Sequence, residues 1–440
     1  MSTNCTFIKA VYNIAIPVAL QSMLQSSFSI VDQIMIGQLG SISIAAVGIA
    51  SKFSSIYQVV VSAIAAVAGI MIAQYMGKQA KELVDRSLSL NLAIALLLAL
   101  GFTMACLALP ESIMGIYTED KEMCSVASSY LRLTALTFLP VAGATLLSTM
   151  LRCMEKATLP LYASLVAAII NTVLNYILIF GKLGCPSMGV EGAAIATLLT
   201  QFANFFLILA GFFISYHQKG QHFCFSLNLN RHEYYQYLLI LLPMLITEFM
   251  WSLEENVYTS IYGHMGTIAG ASMTLTTPIQ GLLIGALSGL AQAAGILIGK
   301  SLGKGNYQEA YHHSRQLIFY GLLASLMLSA LLMTAKNLYI NIYAVEAITK
   351  TTASHILFVF ALIAPIILGG GIIRSGGRTK LIMWIDLIGT WIFGVPLGYW
   401  AAFVMNMPIA YTYLILSLEE VIRLLITFVV FKKKIWMQSL

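Results

Sequence analysis

The sequence predicts an all-α membrane protein, with twelve transmembrane helices in two pseudo-symmetric six-helix bundles. Three observations predict it. First, the 440 residues are 59% hydrophobic and only 10% charged, whereas a soluble domain has about 45–50% apolar and about 25% charged residues. Mean hydropathy, +0.85, agrees. Second, the apolar residues form twelve stretches, each near the roughly 20 residues that a helix needs to cross a bilayer core of about 30 Å. Third, the two halves resemble each other at one constant offset, the one that carries Pro17 onto Pro243.

Cut at polar and Gly/Pro punctuation, the stretches of the first half lie near 10–36, 44–73, 87–109, 124–151, 158–180 and 190–216. Those of the second half lie near 234–262, 268–299, 315–335, 345–373, 381–402 and 409–431. They lack the ten-residue alternation of a barrel strand, and only helices otherwise satisfy the backbone within lipid. The first stretch carries Pro17 and Asp32; with no small-residue cleavage site ahead of a soluble domain, it reads as a span and not a signal peptide. The second begins near Lys52, whose ammonium can snorkel outward. The fourth carries Arg132, and the fifth carries Asn171 and Asn175. The sixth runs into the longest polar link, His217 to His232, so the expected division is a lobe at 1–217, a cytoplasmic linker at 218–233 and a lobe at 234–440. The seventh stretch holds Glu248, Trp251, Glu254 and Glu255, the eleventh Asp386, and the twelfth Glu419, Glu420 and Arg423.

Orientation follows from Lys and Arg, which favour the cytoplasmic side. With the N-terminus inside, the cytoplasmic segments hold Lys9, Lys78, Lys81, Arg86, Arg152, Lys156, Lys219, Arg231, Lys300, Lys304, Arg315, Arg374, Arg378, Lys380 and Lys432 to Lys434. The opposite side holds only Lys121, Lys182, Lys336 and Lys350. Both termini are therefore expected in the cytoplasm, with the chain in a cell membrane.

The repeat keeps its register over two spans. Gly37 matches Gly263, Gly40 matches Gly266, Ala45 matches Ala271, Ala68 to Ile70 match Ala294 to Ile296, and Gly77-Lys78 match Gly303-Lys304. Six spans per half is an even number, so both halves insert the same way round. They should relate by an axis along the membrane normal with a cavity between them, a design suited to alternating access.

Several classes are excluded. The net charge of +6 is dispersed and predicts no nucleic acid. The six cysteines contain no CxxC pair and imply neither a disulfide framework nor a zinc site. Gly303-Lys304-Gly305 lacks the spacing of a phosphate-binding loop, and no hydrolase or protease motif occurs. A carrier is expected, not an enzyme, with no cofactor beyond a coupling H⁺ or Na⁺. A monomer acting on small organic molecules within the lipid bilayer is expected.

Ionisable groups at bilayer depth are costly, roughly 2.5–3.5 kcal/mol on insertion scales, so each is a candidate functional residue. Asp32 with Asn171 and Asn175, which share one helical face at i, i+4, offers hard oxygens that could hold Na⁺ (Asp32 and Asn175 as ligands) or a proton on Asp32. Alternatively, the asparagines bond between helices. In span 7, Glu248, Ser252 and Glu255 share a face with Trp251 beside them. This places Glu248 and Glu255 ahead of Glu254 as proton carriers or as an anionic site for a cationic substrate. Asp386 has no local partner and ranks above Glu419 and Glu420, which are spaced i, i+4 and i, i+3 from Arg423 and suit intrahelical ion pairs. Arg132 is either a counter-ion to Asp32 or a carboxylate-binding group. An apolar cavity lined by Met and aromatic residues would accept varied amphipathic ligands.

The residues resemble the multidrug and toxic compound extrusion (MATE) family, within the superfamily that also contains polysaccharide and lipid-precursor flippases. Pro17, Asp32-Gln-Ile-Met-Ile-Gly-Gln-Leu-Gly40, Ala45-Ala-Val-Gly48, Gln74-Tyr-Met-Gly-Lys78, Arg152, Asn175 and Gly189-Val-Glu-Gly-Ala-Ala194 carry the resemblance in the first half. Tyr262-Gly-His-Met-Gly266, Arg374-Ser-Gly-Gly377 and Val395-Pro-Leu-Gly398 carry it in the second. The resemblance implies the two-bundle MATE fold and export of cationic or amphipathic compounds in exchange for H⁺ or Na⁺. It also implies that Asp32, Asn171 and Asn175 hold the coupling cation, with Glu248 in the family's span 7 position. Asn175 stands where some proton-coupled members carry Asp. The alternative is a lipid-linked precursor flippase on the same scaffold, which would need cationic groups for pyrophosphate. The acids Asp32, Glu248, Glu254, Glu255, Asp386, Glu419 and Glu420 outnumber Lys52, Arg132 and Arg423 and favour cation export.

Overall fold

Long apolar runs leave the backbone no water to bond, so the i→i−4 ladder of a helix is the local solution. The computed structural model describes residues 2–227, 231–341, 343, 345–365, 373 and 375–439, the side chains of 2–6, 29, 30, 41, 232 and 233 lying outside that description. Among the described residues every regular element is helical. In order they are α1 (Ser2–Gly37), α2 (Ser41–Gly77), α3 (Lys81–Ala108), α4 (Pro110–Gly115), α5 (Lys121–Ala135), α6 (Phe138–Cys153), α7 (Thr158–Phe180) and α8 (Gly189–Gln218). The second half has α9 (Arg231–His264), α10 (Thr267–Gly303), α11 (Tyr307–Asn341), α12 (Ala347–Ile363), α13 (Thr379–Val404), α14 (Ile409–Leu416) and α15 (Leu418–Lys432).

Nine of these (α1, α2, α3, α7, α8, α9, α10, α11 and α13) are long and apolar enough to cross a membrane, and α5 with α6 makes a tenth as one span bent by 46°. The other two expected spans are shorter or divided. α12 has 17 residues, and Ser417 separates α14 from α15. Residues 366–372 of the expected 345–373 stretch, and Arg374 after it, lie outside the described residues. Several helices outrun their apolar stretch, as α11 does at both ends, because the hydrogen-bond ladder continues through polar residues. The bend between α5 and α6 has a local cause: Pro140 has no N–H to offer the Leu136 carbonyl and its ring crowds that carbonyl. Side chains take up neighbouring carbonyls, with Tyr57 Oη donating to Phe138 O at 2.6 Å and Thr103 Oγ1 to Ala135 O at 3.0 Å.

The repeated glycines have identifiable work. Gly40 and Gly266 both have positive φ, 106° and 110°, at the entry to α2 and α10, a conformation that side chains disfavour. Gly77 lies against the backbone of Lys300, and Gly303 against that of Gln74. These four residues are two offset-related pairs, so the contact is its own mirror under exchange of the repeats.

By contact density the chain divides into two units. One comprises residues 1–23, 73–80 and 231–440; the other comprises 24–72 and 81–230. The division by repeats placed 1–23 and 73–80 with the N-terminal lobe. Within the first unit, close backbone contacts join these segments to α10, Gly289 resting on the Ala15 carbonyl and Gly303 on that of Gln74. The first unit has apolar clusters around Leu275, Leu357 and Phe360 and around Ile261, Ile356 and Ile409. The second has one around Ile36, Ile179 and Ala193. Large apolar side chains such as Leu97 and Met327 are exposed, at 72% and 74%, which suits acyl chains as the solvent.

Candidate functional site

In the unit of 24–72 and 81–230, α7 presents Asn171 and Asn175 on one face, both buried, toward Asp32 of α1. Asn175 Nδ2 donates to Asp32 Oδ1 at 2.8 Å and to Asn171 Oδ1 at 3.0 Å. With the Asn171 amide turned over, its nitrogen would donate to both Asp32 oxygens, at 2.8 and 3.2 Å. An oxygen facing Asp32 accepts from a carboxylic acid, and a nitrogen facing it donates to a carboxylate. Asn175 Oδ1 is buried and accepts no hydrogen bond among the described residues. The structure thus joins the three residues that spacing paired.

Arg132 does not join them. It lies 3.5 Å from Glu111, with both side chains largely exposed, so as an ion pair it ties α5 to α4. Lys52 is exposed on α2.

In the other unit, α9, α13 and α15 bring a second set of groups together. Glu254 Oε2 accepts from Thr390 Oγ1 at 3.0 Å and from Arg423 Nη2 at 3.2 Å. Arg423 Nη1 donates to Glu420 at 2.9 Å, and Arg423 Nη2 also donates to Thr390. Glu419 and Asp386 stand 3.9 and 4.0 Å from the same guanidinium. Tyr258 Oη donates to Glu419 Oε2 at 2.5 Å. Asp386, for which the sequence shows no local partner, therefore has Arg423 across the helix interface.

Span 7 reverses the order expected from shared faces. Glu254 is buried and belongs to the cluster, whereas Glu255 and Trp251 are exposed and Glu248 is half-buried. Helical periodicity shows which residues share a face but not which face meets α13 and α15. Thr390 and Tyr258 were not anticipated. The signal available was spacing, for Tyr258 follows Glu254, and Thr390 follows Asp386, by one turn.

Local backbone makes room for this set. Ile388–Gly394 and Trp400–Val404 of α13 are π-helical, a wider coil that often occurs at functional sites. Gly389 lies against the Arg423 side chain, and Gly394 against Glu419 and Tyr258, where a Cβ would collide. Among the described residues no group of three or more His, Cys, Asp or Glu side chains is arranged to hold a metal ion.

Apolar helical spans in an internally repeated chain, with the carboxylates of Glu254 and Glu419 buried among them, are the features of a membrane carrier. A profile of the MatE family matches residues 17–177 and again 243–400, and its two matches begin at Pro17 and Pro243, the proline pair of the repeat. The chain belongs to the MatE family. It is a multi-pass membrane transporter and not an enzyme. It is 24% identical over 405 residues to the multidrug resistance protein NorM of Burkholderia vietnamiensis, covering 89% of this chain and 86% of that protein. To the probable multidrug resistance protein NorM of Bacillus subtilis it is 24% identical over 412 residues, covering 89% and 88%. Its fold is that of solved MATE transporters. One is a variant of the Vibrio cholerae transporter VcmN, with TM-score 0.90 at 15% identity, covering 99% of this chain and 98% of the other. Another is an outward-facing multidrug resistance MATE transporter, with TM-score 0.87 at 20% identity, covering 97% and 95%.

Proposed function

We propose that this transporter exports organic cations and amphipathic compounds across a cell membrane, both termini cytoplasmic, in exchange for H⁺ or Na⁺ by alternating access. The observation that carries the reading is Asp32, held by Asn175 at 2.8 Å with the buried Asn175 Oδ1 unpaired beside it. A carboxylate and two amide oxygens form a set that a proton or a small hard cation can occupy and leave. The Asn171 amide has both an acceptor and a donor to offer, so it can bond Asp32 as an acid or as a carboxylate. The Glu254–Asp386–Glu420 set forms an anionic counterpart for an organic cation. Glu255 and Glu248, exposed and half-buried on α9, are carboxylates that such a cation meets on its way. The names of the NorM relatives support multidrug substrates.

The test is ethidium export from proteoliposomes under an imposed Na⁺ or H⁺ gradient. Asp32→Asn, which keeps the shape and removes the charge, is expected to reduce gradient-driven export by about a hundredfold, a loss of about 2.7 kcal/mol, while the protein still inserts. Export by that variant at the wild-type rate would remove Asp32 from the coupling site.

A further inference from the structure

Arg423 stands among four carboxylates contributed by three helices. Glu420 is at 2.9 Å and Glu254 at 3.2 Å, with Glu419 and Asp386 at 3.9 and 4.0 Å. Only the first two are within bonding distance of the guanidinium; the other two lie within its Coulomb reach, and Glu419 accepts from Tyr258 instead. Arg423 Nε is buried and makes no hydrogen bond among the described residues, so the guanidinium does not use its whole fork. One guanidinium brings a single positive charge to groups that can carry four negative ones. The arm itself has a track, since it lies against Gly389, where any Cβ would block it.

We propose that Arg423 is a tethered resident cation of the C-terminal carboxylate cluster and that an organic cation binds there by displacing it. This rests on the export reading above and adds the specificity-determining residue of the substrate half. A substrate cation that pairs with Glu254 and Glu420 must take the oxygens that Arg423 bonds, so the two compete for the same acceptors and binding there displaces the guanidinium. The cluster thus keeps a counter-charge when no substrate is present. Because the tethered cation returns when substrate leaves, it also limits how tightly any exported cation is held. A weak, readily reversed site of this kind suits a carrier that must let go of its cargo on the far side.

Two measurements on the full chain in lipid nanodiscs test the proposal. The first adds millimolar guanidinium to Arg423→Ala, with urea as the neutral isostere. Guanidinium is expected to raise the melting midpoint of the variant while urea does not, and neither is expected to raise that of the wild type. An equal effect on both proteins, or none on the variant, overturns the proposal. The second measures equilibrium binding of ethidium. Arg423→Gln is expected to bind about tenfold tighter or more than wild type, with Arg423→Lys near wild type. A folded Arg423→Gln protein that binds ethidium equally or more weakly overturns the proposal, because a merely structural arginine would give that result. Should Arg423→Ala be recovered unfolded, Glu420→Gln alone and with Arg423→Gln are compared. The double variant is expected to bind ethidium tighter than the single one, and the reverse order overturns the proposal. If guanidinium rescues Arg423→Ala but the wild type does not export ethidium, the export reading fails for this probe while the resident cation stands.

Discussion

Glu254 and Glu255 are adjacent in sequence and chemically alike, yet only Glu254 is buried among charged partners. Glu254→Gln leaves Arg423 and Thr390 with a neutral acceptor where a buried charge pair stood, and removal of one partner of such a pair costs about 3 kcal/mol or more. The expected outcome is a lower melting midpoint and weaker ethidium binding. Glu255→Gln, at an exposed position, is expected to change stability by no more than about 0.5 kcal/mol. Thermal denaturation and equilibrium binding of the two variants, side by side, check this. At this scale Asp32, Asn171 and Asn175 were legible because an unpaired acid in an apolar run is conspicuous and i, i+4 spacing is local. Glu254 was not, because its burial depends on the rotation of α9 against α13 and α15.

At the scale of elements, glycine and proline positions explain why apolar stretches become separate, bent or coiled helices. Gly266 opens α10 with φ of 110°, whereas Gly263, three residues earlier within α9, meets no atom within 4 Å at its missing Cβ. Gly266→Ala is therefore expected to destabilise by about 1 kcal/mol or more. Gly263→Ala, in a helix where Ala is favoured, is expected to be neutral or stabilising by up to about 1 kcal/mol. Melting midpoints in detergent distinguish them, and equal shifts would mean that the entry conformation at Gly266 is not under strain. Helix positions followed from apolar length, and the break between α5 and α6, one turn ahead of Pro140, has the usual proline cause. The π-helical turns of α13 were not legible, because no residue pattern marks them and only the neighbours at Gly389 and Gly394 account for the width.

For the whole molecule, the Lys and Arg distribution predicts one topology across the membrane. Cys224 is exposed in the polar link after α8 and Cys185 is half-buried in the turn between α7 and α8, which the topology assigns to opposite sides. In variants retaining one of these thiols, a membrane-impermeant maleimide is expected to label Cys224 only from the cytoplasmic face. Cys185 is expected to react only from the other face. Labelling of both from one face would overturn the predicted orientation. The repeat belongs to this scale too, since Gly77 on Lys300 and Gly303 on Gln74 place related residues in reciprocal contact.

The amino-acid sequence alone determined the membrane class, the approximate helices, the duplication and the stock of intramembrane acids. Each of these depends on composition and on neighbours within a turn or two of helix, and transfer of apolar length into lipid is a local free-energy balance. Only the tertiary structure decided which acids have partners. It placed Arg423 within reach of Glu254 and Asp386, and Arg132 beside Glu111. Those pairings depend on how each helix is rotated and tilted against its neighbours, which span length leaves open and side-chain packing sets.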